Sequence, residues 1–215
     1  RIKSRVISFK DGLQMLPMRF YQILGDRVHL ETKLKAIIPD SGWNVSWSHA
    51  GIENMNTYDA IILTVPAYQL SSLPFGENIK ADLNPIKDIF YSPVSVLVFG
   101  FHCDQIDHSL DGYGMLVPKK EGKQILGSLF SSSLFPGRAP SGHVTLTTFV
   151  GGACHSDLTD LPFDVLKNIV LEELDSLLGV SGEPVFERHF VWPRAIPQYN
   201  LGYGYFLARL DEIEK

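Results

Sequence analysis

Apolar residues recur at helical spacing twice in this chain. Over residues 12–25, Leu13, Leu16, Phe20, Ile23 and Leu24 fall on one stripe, Pro17 sits in the opening turns and Gly25 supplies a stop. Over residues 163–178, Phe163, Leu166, Val170, Leu174 and Leu177 do the same, with Gly179 just beyond. A third helix is expected from Tyr205 onward. Between them the period falls to two. Residues 28–34 alternate apolar and polar, as do Trp43, Val45 and Trp47 after the turn signal Pro39-Asp-Ser-Gly. Residues 58–66, Tyr58-Asp-Ala-Ile-Ile-Leu-Thr-Val-Pro, are instead continuously apolar at their centre, which predicts a strand buried on both faces of a parallel sheet. A run of strands begins at Val94 and continues through Val150. Residues 185–192 read as a further strand, and Pro193 and Pro197 bracket an extended crossing.

The composition shifts at residues 73–85, rich in Pro, Gly, Asn and Asp, and a domain crossing is expected there. Helix, small sheet and buried strand, then a strand-rich block, then a return helix predict two domains threaded through each other. The fold class is α/β plus α+β: residues 1–72 and 191–215 belong to one domain, 73–190 to the other, and neither is complete.

With 45% hydrophobic and 20% charged residues among 215, the chain carries enough apolar side chains for a sizeable core and is not a disordered one. A net charge of −5 argues against nucleic acid as a partner. Cys103 and Cys154 lack CxxC spacing and read as free thiols of a reducing compartment. No apolar run is long enough to cross a bilayer as a helix. The opening Arg1-Ile-Lys-Ser-Arg-Val has neither an initiator Met nor an apolar core behind it, so the chain reads as an internal piece of something longer.

Residues 111–152 hold three apolar strand-like runs bounded by Gly or Pro, with no nucleophile, acid–base pair or metal cluster. Such a face suits a large, flat, apolar ligand whose chemistry comes from a cofactor. Other constellations read as ordinary surface. His102-Cys-Asp-Gln-Ile-Asp-His108 is a solvated loop rather than a metal cluster. Cys154-His155 is not a catalytic pair, because nucleophile and base come from distant positions. Gly202-Tyr-Gly204 is a turn, Glu172, Glu173 and Asp175 form a solvated helix face, and residues 119–123 form a hairpin tip.

Seen in order, several segments resemble the protoporphyrinogen oxidases, flavoenzymes of haem and chlorophyll biosynthesis within the flavin amine oxidase superfamily, and in particular the plant mitochondrial type. They are Ser8-Phe-Lys-Asp-Gly-Leu-Gln-Met-Leu-Pro, residues 58–66, Asp111-Gly-Tyr-Gly-Met-Leu-Val-Pro, Leu126-Gly-Ser-Leu-Phe-Ser-Ser, Phe135-Pro-Gly-Arg-Ala-Pro, Thr147-Thr-Phe-Val-Gly-Gly and Leu210-Asp-Glu-Ile-Glu-Lys. The resemblance implies a partial, Rossmann-like FAD-binding domain interleaved with a strand-rich tetrapyrrole-binding domain. It implies that Leu34 offers backbone groups to the adenine and that Thr64, Val65 and Pro66 pass near the flavin. It also implies that Leu116 and Leu129 press one face of the macrocycle and Phe149 the other. No catalytic residue and no metal ligand is assigned.

By the same resemblance the parent enzyme oxidises protoporphyrinogen IX to protoporphyrin IX with molecular oxygen as acceptor, this piece alone being inactive. A homodimer is expected, as is peripheral membrane contact made by parts of the parent outside these residues. The location is a mitochondrial or chloroplast membrane in a eukaryote, and the cytoplasm or membrane periphery in a bacterium. The chain departs from the pattern in four ways. Lys10-Asp11-Gly12 replaces a pair of glycines. No G-x-G-x-x-G loop, no terminal glycine-rich flavin motif and no basic partner for a substrate propionate is found. Two alternatives stand beside the oxidase: another flavin oxidoreductase of the same superfamily, or a tetrapyrrole-binding module with no redox role.

Overall fold

The computed structural model describes residues 6–214, apart from the side chain of Ala81. The chain forms two compact units, Arg1–Phe90 with Tyr199–Lys215, and Tyr91–Gln198 inserted between them.

The first unit opens with α1 (Met15–Leu24), closed by Gly25, whose N–H donates to Tyr21 O. The apolar stripe expected for this helix is present, but none of its residues is buried. Ahead of it, Gly12 takes φ 95° while Asp11 stays out of the left-handed region, so the substitution of a glycine at residue 11 needs no unusual backbone.

Strand β1 (Lys33–Pro39) pairs antiparallel with β2 (Trp43–His49), and β2 with β3 (Ile52–Tyr58). The alternation over residues 28–34 does not become a strand until Lys33. Glu31 takes φ 50° and Thr32 Oγ1 donates to Leu30 O at 3.1 Å, a local turn that breaks the extended backbone. Strand β3, too polar to stand out by periodicity, is set by its turn. Ala50 and Gly51 both take positive φ (48° and 80°), the two-residue hairpin geometry that brings Ile52 opposite His49.

Residues 59–66 are the main departure from expectation. They are irregular, no described strand pairs with them, and Ile62 is 90% exposed. A strand buried on both faces needs neighbours for its N–H and C=O groups, and the described residues supply none. Both sheets are antiparallel, and among the described residues the parallel pairing is the single bridge Ile37–Phe75.

The Pro- and Gly-rich break at 73–85 lies inside this unit. It follows α2 (Ala67–Leu70) and contains α3 (Glu77–Leu83), and its Phe75 and Leu83 pack with Ile37, while Trp43 meets Phe75 edge-on at 6.2 Å. The chain crosses between units at Phe90–Tyr91 and returns at Gln198–Tyr199. Both crossings lie later than composition places them, because short helices can carry Pro and Gly at their ends and still hold a core.

The second unit is a five-stranded antiparallel sheet in the order β5-β6-β7-β4-β8, formed by β4 (Tyr91–His102), β5 (Gly114–Leu116), β6 (Ile125–Phe130), β7 (His143–Gly151) and β8 (Phe186–Pro197). The short α4 (Ser131–Leu134) follows β6, and α5 (Phe163–Leu178) lies over one face. The helix ends as its sequence requires, at Gly179 with φ 64°. Leu166, Val170, Leu174 and Leu178, spaced by four, bury against Leu97, Phe99, Phe101, Leu146 and Val150. Each such side chain contributes about 1.5–3 kcal/mol by leaving water.

Strand β8 runs through Pro193 to Pro197, where an extended crossing alone was expected. It is an edge strand, and a register shift opposite Ser92–Val94 absorbs the missing N–H. At this edge Lys167 of α5 pairs with Glu187 at 2.8 Å and Glu183 at 3.0 Å, both of which raise its pKa, the Glu187 hydrogen bond most. The helix α6 (Gly204–Ile213) then returns to the first unit, where Arg209 pairs with Asp82 at 3.3 Å.

Candidate functional site

Alternation along a strand sends successive side chains to opposite faces, and cross-strand partners share a face. In the second unit, Leu97, Phe99, Leu146 and Val150 point to the face under α5. The opposite face carries exposed and half-buried residues. Across it runs one row of partners: Leu116 opposite Gly127, Gly127 opposite Phe149, Phe149 opposite Val96, and Val96 opposite Phe190.

Leu116 is 89% exposed, Phe149 is half-buried, and Gly127 between them has no side chain. Two strand spacings separate Leu116 from Phe149, roughly 9–10 Å between backbones. Contacts on both faces of a flat ring take up about 7–8 Å. Gly127 itself is buried, and the spacing between Leu116 and Phe149 is wide enough for a flat ring. Leu129 stands one row along, opposite Thr147 and Gly114, and limits the slot at its end over β6. The structure thus brings all three predicted residues to one face and separates Leu129 from Leu116.

Gly127 is fixed by its surroundings. A Cβ built there would lie 2.3 Å from Met115 O, and one at Gly114 would lie 2.3 Å from Ser128 O. Only glycines let β5 and β6 approach this closely. Sequence reasoning missed Gly127, Val96 and Phe190. The available signal was a glycine two positions before Leu129 inside an apolar strand, which marks a close approach.

Polar contacts underneath hold the slot in place. Ser128 Oγ and Thr148 Oγ1 are buried and hydrogen-bonded at 3.0 Å, on the face away from the slot. Glu173 corrects the expectation of a solvated carboxylate face. It is buried, accepts the Gln124 N–H at 3.0 Å and pairs with Lys123 at 3.1 Å, fastening the tip of the β5–β6 hairpin to α5. On the far edge, His189 stacks on Phe163 at 5.4 Å and reaches Ser95 Oγ at 3.2 Å, and burial pushes its pKa below the usual 6.5.

Within the first unit, a recess of about 290 Å³ is lined by Leu34, Val45, Trp47, Ile61 and Ile62, with His29 tilted against Trp47 at 5.5 Å. β1 is an edge strand whose outer side is engaged at Ile37 by Pro74 O. Around Leu34 the recess has flat apolar walls. Thr64, Val65 and Pro66 fall outside the recess, in the extended lead-in to α2. No glycine-rich strand-to-helix loop for a pyrophosphate occurs in the sequence.

The His102 and His143 rings lie tilted to each other with centroids 4.3 Å apart, and the His102 ring accepts the Gln105 N–H. Among the described residues no group of three or more side chains could hold a metal ion. Cys103 and Cys154 are free and exposed. Gly202, at φ 89°, belongs to the turn that enters α6. No helix among the described residues is long and apolar enough to cross a membrane.

The chain has two units, one built on a five-stranded sheet and one carrying the recess beside Leu34, and comparison makes the class specific. The family described as flavin containing amine oxidoreductase matches residues 2–212, and the chain belongs to it. Within that family it is similar to protoporphyrinogen oxidase 2, chloroplastic/mitochondrial, of Arabidopsis thaliana, at 36% identity over 96% of this chain and 43% of that protein. It is also similar to the mitochondrial protoporphyrinogen oxidase of Nicotiana tabacum, at 37% identity over 79% of this chain and 36% of that protein. A solved structure described as a candidate protoporphyrinogen oxidase from Exiguobacterium sp. 255-15 shares the fold, with a TM-score of 0.72, 24% identity, and coverage of 95% of this chain and 44% of that one. The chain spans less than half the length of these relatives.

Proposed function

We propose that the chain is part of an FAD-dependent oxidase that converts protoporphyrinogen IX to protoporphyrin IX with molecular oxygen as acceptor. The observation that carries this reading is the slot over Gly127, walled by Leu116 and Phe149, in a chain of the flavin amine oxidoreductase family. The reaction removes six electrons and six protons from the macrocycle, and three molecules of oxygen leave as hydrogen peroxide. The redox chemistry would be supplied by FAD, whose ring accepts hydride.

The chain's own residues bind and orient. Leu116 and Phe149 hold the macrocycle by its two faces, Leu129 sets how far it slides along β6, and the apolar row through Val96 and Phe190 keeps water from the reacting edge. This differs from the arrangement implied by resemblance, which set Leu116 and Leu129 together on one side. Leu34 would offer strand-edge groups to the adenine, and Thr64, Val65 and Pro66 would lie along the flavin. No side chain is assigned a proton-transfer role. The plant relatives are named for chloroplast and mitochondrion, and one of these organelles is the proposed location, with membrane contact and a homodimer as further parts of the proposal.

The test is to purify the full-length protein that contains this chain and supply protoporphyrinogen IX under air. Bound flavin, fluorescent porphyrin and hydrogen peroxide support the reading. A flavin that stays oxidised under anaerobic substrate points to a different substrate, and porphyrin binding without any flavin points to a module with no redox role.

A further inference from the structure

Two imidazole rings close the loop that leads from the end of β4 to β5. The His102 ring accepts the Gln105 N–H, and the Gln105 side chain accepts the His102 N–H at 2.8 Å. Further on, His108 Nδ1 accepts the Leu110 N–H at 2.9 Å. The closed loop is tied to the rest of its unit. Gln105 Nε2 donates to Ser181 O at 2.9 Å and to Glu183 O at 3.1 Å. The His108 N–H donates to Leu178 O at 3.1 Å, and its ring lies 5.6 Å from that of Phe130 on β6.

The second ring holds a strained residue. Leu110 takes φ 51°, a conformation that leucine rarely adopts, and is buried in one core with the side chains of α5. Its carbonyl accepts the Gly112 N–H at 3.0 Å, and Tyr113 O accepts the Phe130 N–H at 3.1 Å, where β5 joins β6. β5 is three residues long and lies at the edge of the sheet. Its pairing with β6 and this loop therefore fix the place of Leu116.

Both rings stand where a side chain accepts a hydrogen bond from backbone two or three residues ahead, positions that Asn and Asp usually fill. Asn keeps its acceptor at every pH. An imidazole gives up its acceptor on taking up a proton, because both nitrogens then donate. A protonated His108 would set Nδ1–H against the Leu110 N–H, and a protonated His102 would do the same to Gln105. Protonation therefore favours the open loop.

The groups around the rings leave that sign unchanged. Cys103, Asp104, Asp107 and Asp111 belong to the loop itself and stay beside the rings whether it is closed or open. β6 brings the uncharged Phe130, and the segment after α5 brings Glu183, which pairs with Lys167 at 3.0 Å. β7 brings His143, its ring centroid 4.3 Å from that of His102. His143 Nδ1 donates to Ser141 O at 3.0 Å, which leaves Nε2 to take a proton. A cation there repels one on His102 and acts in the same direction.

We infer that His102 and His108 form a pH-sensitive clasp. Closed while both rings are neutral, it holds β5 and Leu116 in place, and it opens as the rings take up protons. Its effect on ligand rests on the proposed function, in which Leu116 is one wall of the slot; the clasp itself does not.

The experiment uses the full-length protein, as wild type and as the double variant His102→Asn with His108→Asn. Both are studied at about pH 7.5 and about pH 5.5, on either side of the ordinary titration of imidazole. Hydrogen–deuterium exchange, corrected for the intrinsic pH dependence of exchange, reads peptides covering residues 103–116. Wild-type protection there should fall by roughly tenfold at the lower pH. In the double variant it should stay within about twofold, and each single variant should keep part of the fall. Any loss in β8, which carries His189, should be common to all the proteins. Protoporphyrin IX binding, followed by fluorescence, should weaken at the lower pH more in the wild type than in the double variant, the ligand's own titration being common to both. Wild-type protection that does not change with pH overturns the clasp, and so does an equal fall in the double variant. If protection falls as expected while both affinities change equally, the clasp opens without moving Leu116, and its link to the slot is wrong. If neither protein binds porphyrin at either pH, the tetrapyrrole reading falls, and exchange alone decides the clasp.

Discussion

Leu116 and Phe149 occupy one cross-strand row of the five-stranded sheet, with Gly127 alone between them. The wall on each side is apolar, the floor has no side chain, and the gap matches a flat ring held by both faces. Phe149→Ala removes one wall. Porphyrin affinity should fall by about tenfold or more, since an aromatic contact adds to the area it buries. Because Phe149 is only half-buried, the unfolding midpoint should move little. Fluorescence titration beside urea denaturation separates the two effects, and unchanged affinity would remove Phe149 from the site.

Gly127→Ala tests the floor. The new Cβ would meet Met115 O at 2.3 Å, and the obstacle is backbone that cannot rotate away. β5 must move off β6, at a cost of about 2–3 kcal/mol. Denaturant unfolding measures the loss, and porphyrin affinity should fall with it because Leu116 leaves its place. A variant as stable as the wild type would show that β5 and β6 are not so close.

Glu173 links the hairpin to α5 and should matter more than a surface carboxylate. Glu173→Ala leaves the Gln124 N–H without its acceptor and the Lys123 ammonium with Ser176 Oγ but no carboxylate, and should cost about 2–3 kcal/mol. Glu173→Gln, which can still accept the Gln124 N–H, should lose less. Equal stability of all three proteins would return Glu173 to the solvated face expected from its sequence.

The periodicity shows why Glu173 was misjudged and why α5 was not. Phe163–Leu178 emerged with its end at Gly179 because four-residue apolar spacing and a glycine stop are local signals. The direction of Glu173 depends on Lys123 and Gln124, far away in sequence, and no local pattern announces them. Residues 59–66 failed for the converse reason. Their composition is that of a strand, but a strand is made by its neighbours, and the described residues provide none. The resemblance singles out Leu116, Leu129 and Phe149; that they share a face was implicit in alternation, whereas the gap at Gly127 needed the register of three strands.

His189 gives the fold a pH dependence. Burial lowers its pKa in the folded state below the ordinary 6.5, so the unfolded chain takes up the proton first as pH falls. The stability tied to the neutral ring is complete above about pH 6.5 and is lost as pH drops from there through the lowered folded value. Urea midpoints measured between neutral and mildly acidic pH should decline for the wild type. His189→Phe, which keeps the stack on Phe163, should decline less; identical slopes would exclude His189 as the source.

Exposed apolar side chains in the first unit predict self-association. No residue of α1 is buried, and an apolar groove of about 490 Å³ lies beside it, lined by Pro17, Phe20, Tyr21, Val28 and Leu30. The 215-residue chain expressed alone should elute from size exclusion as oligomers or aggregate. A monomer with a sharp, reversible melt would contradict this.

The most direct test of the account is aerobic turnover of protoporphyrinogen IX by the full-length protein, for the wild type and for Phe149→Ala. The account predicts porphyrin fluorescence with release of hydrogen peroxide in the wild type, and at subsaturating substrate a rate lower by about tenfold in the variant. Flavin reduced by some other substrate, with protoporphyrinogen IX left unconverted, would contradict it.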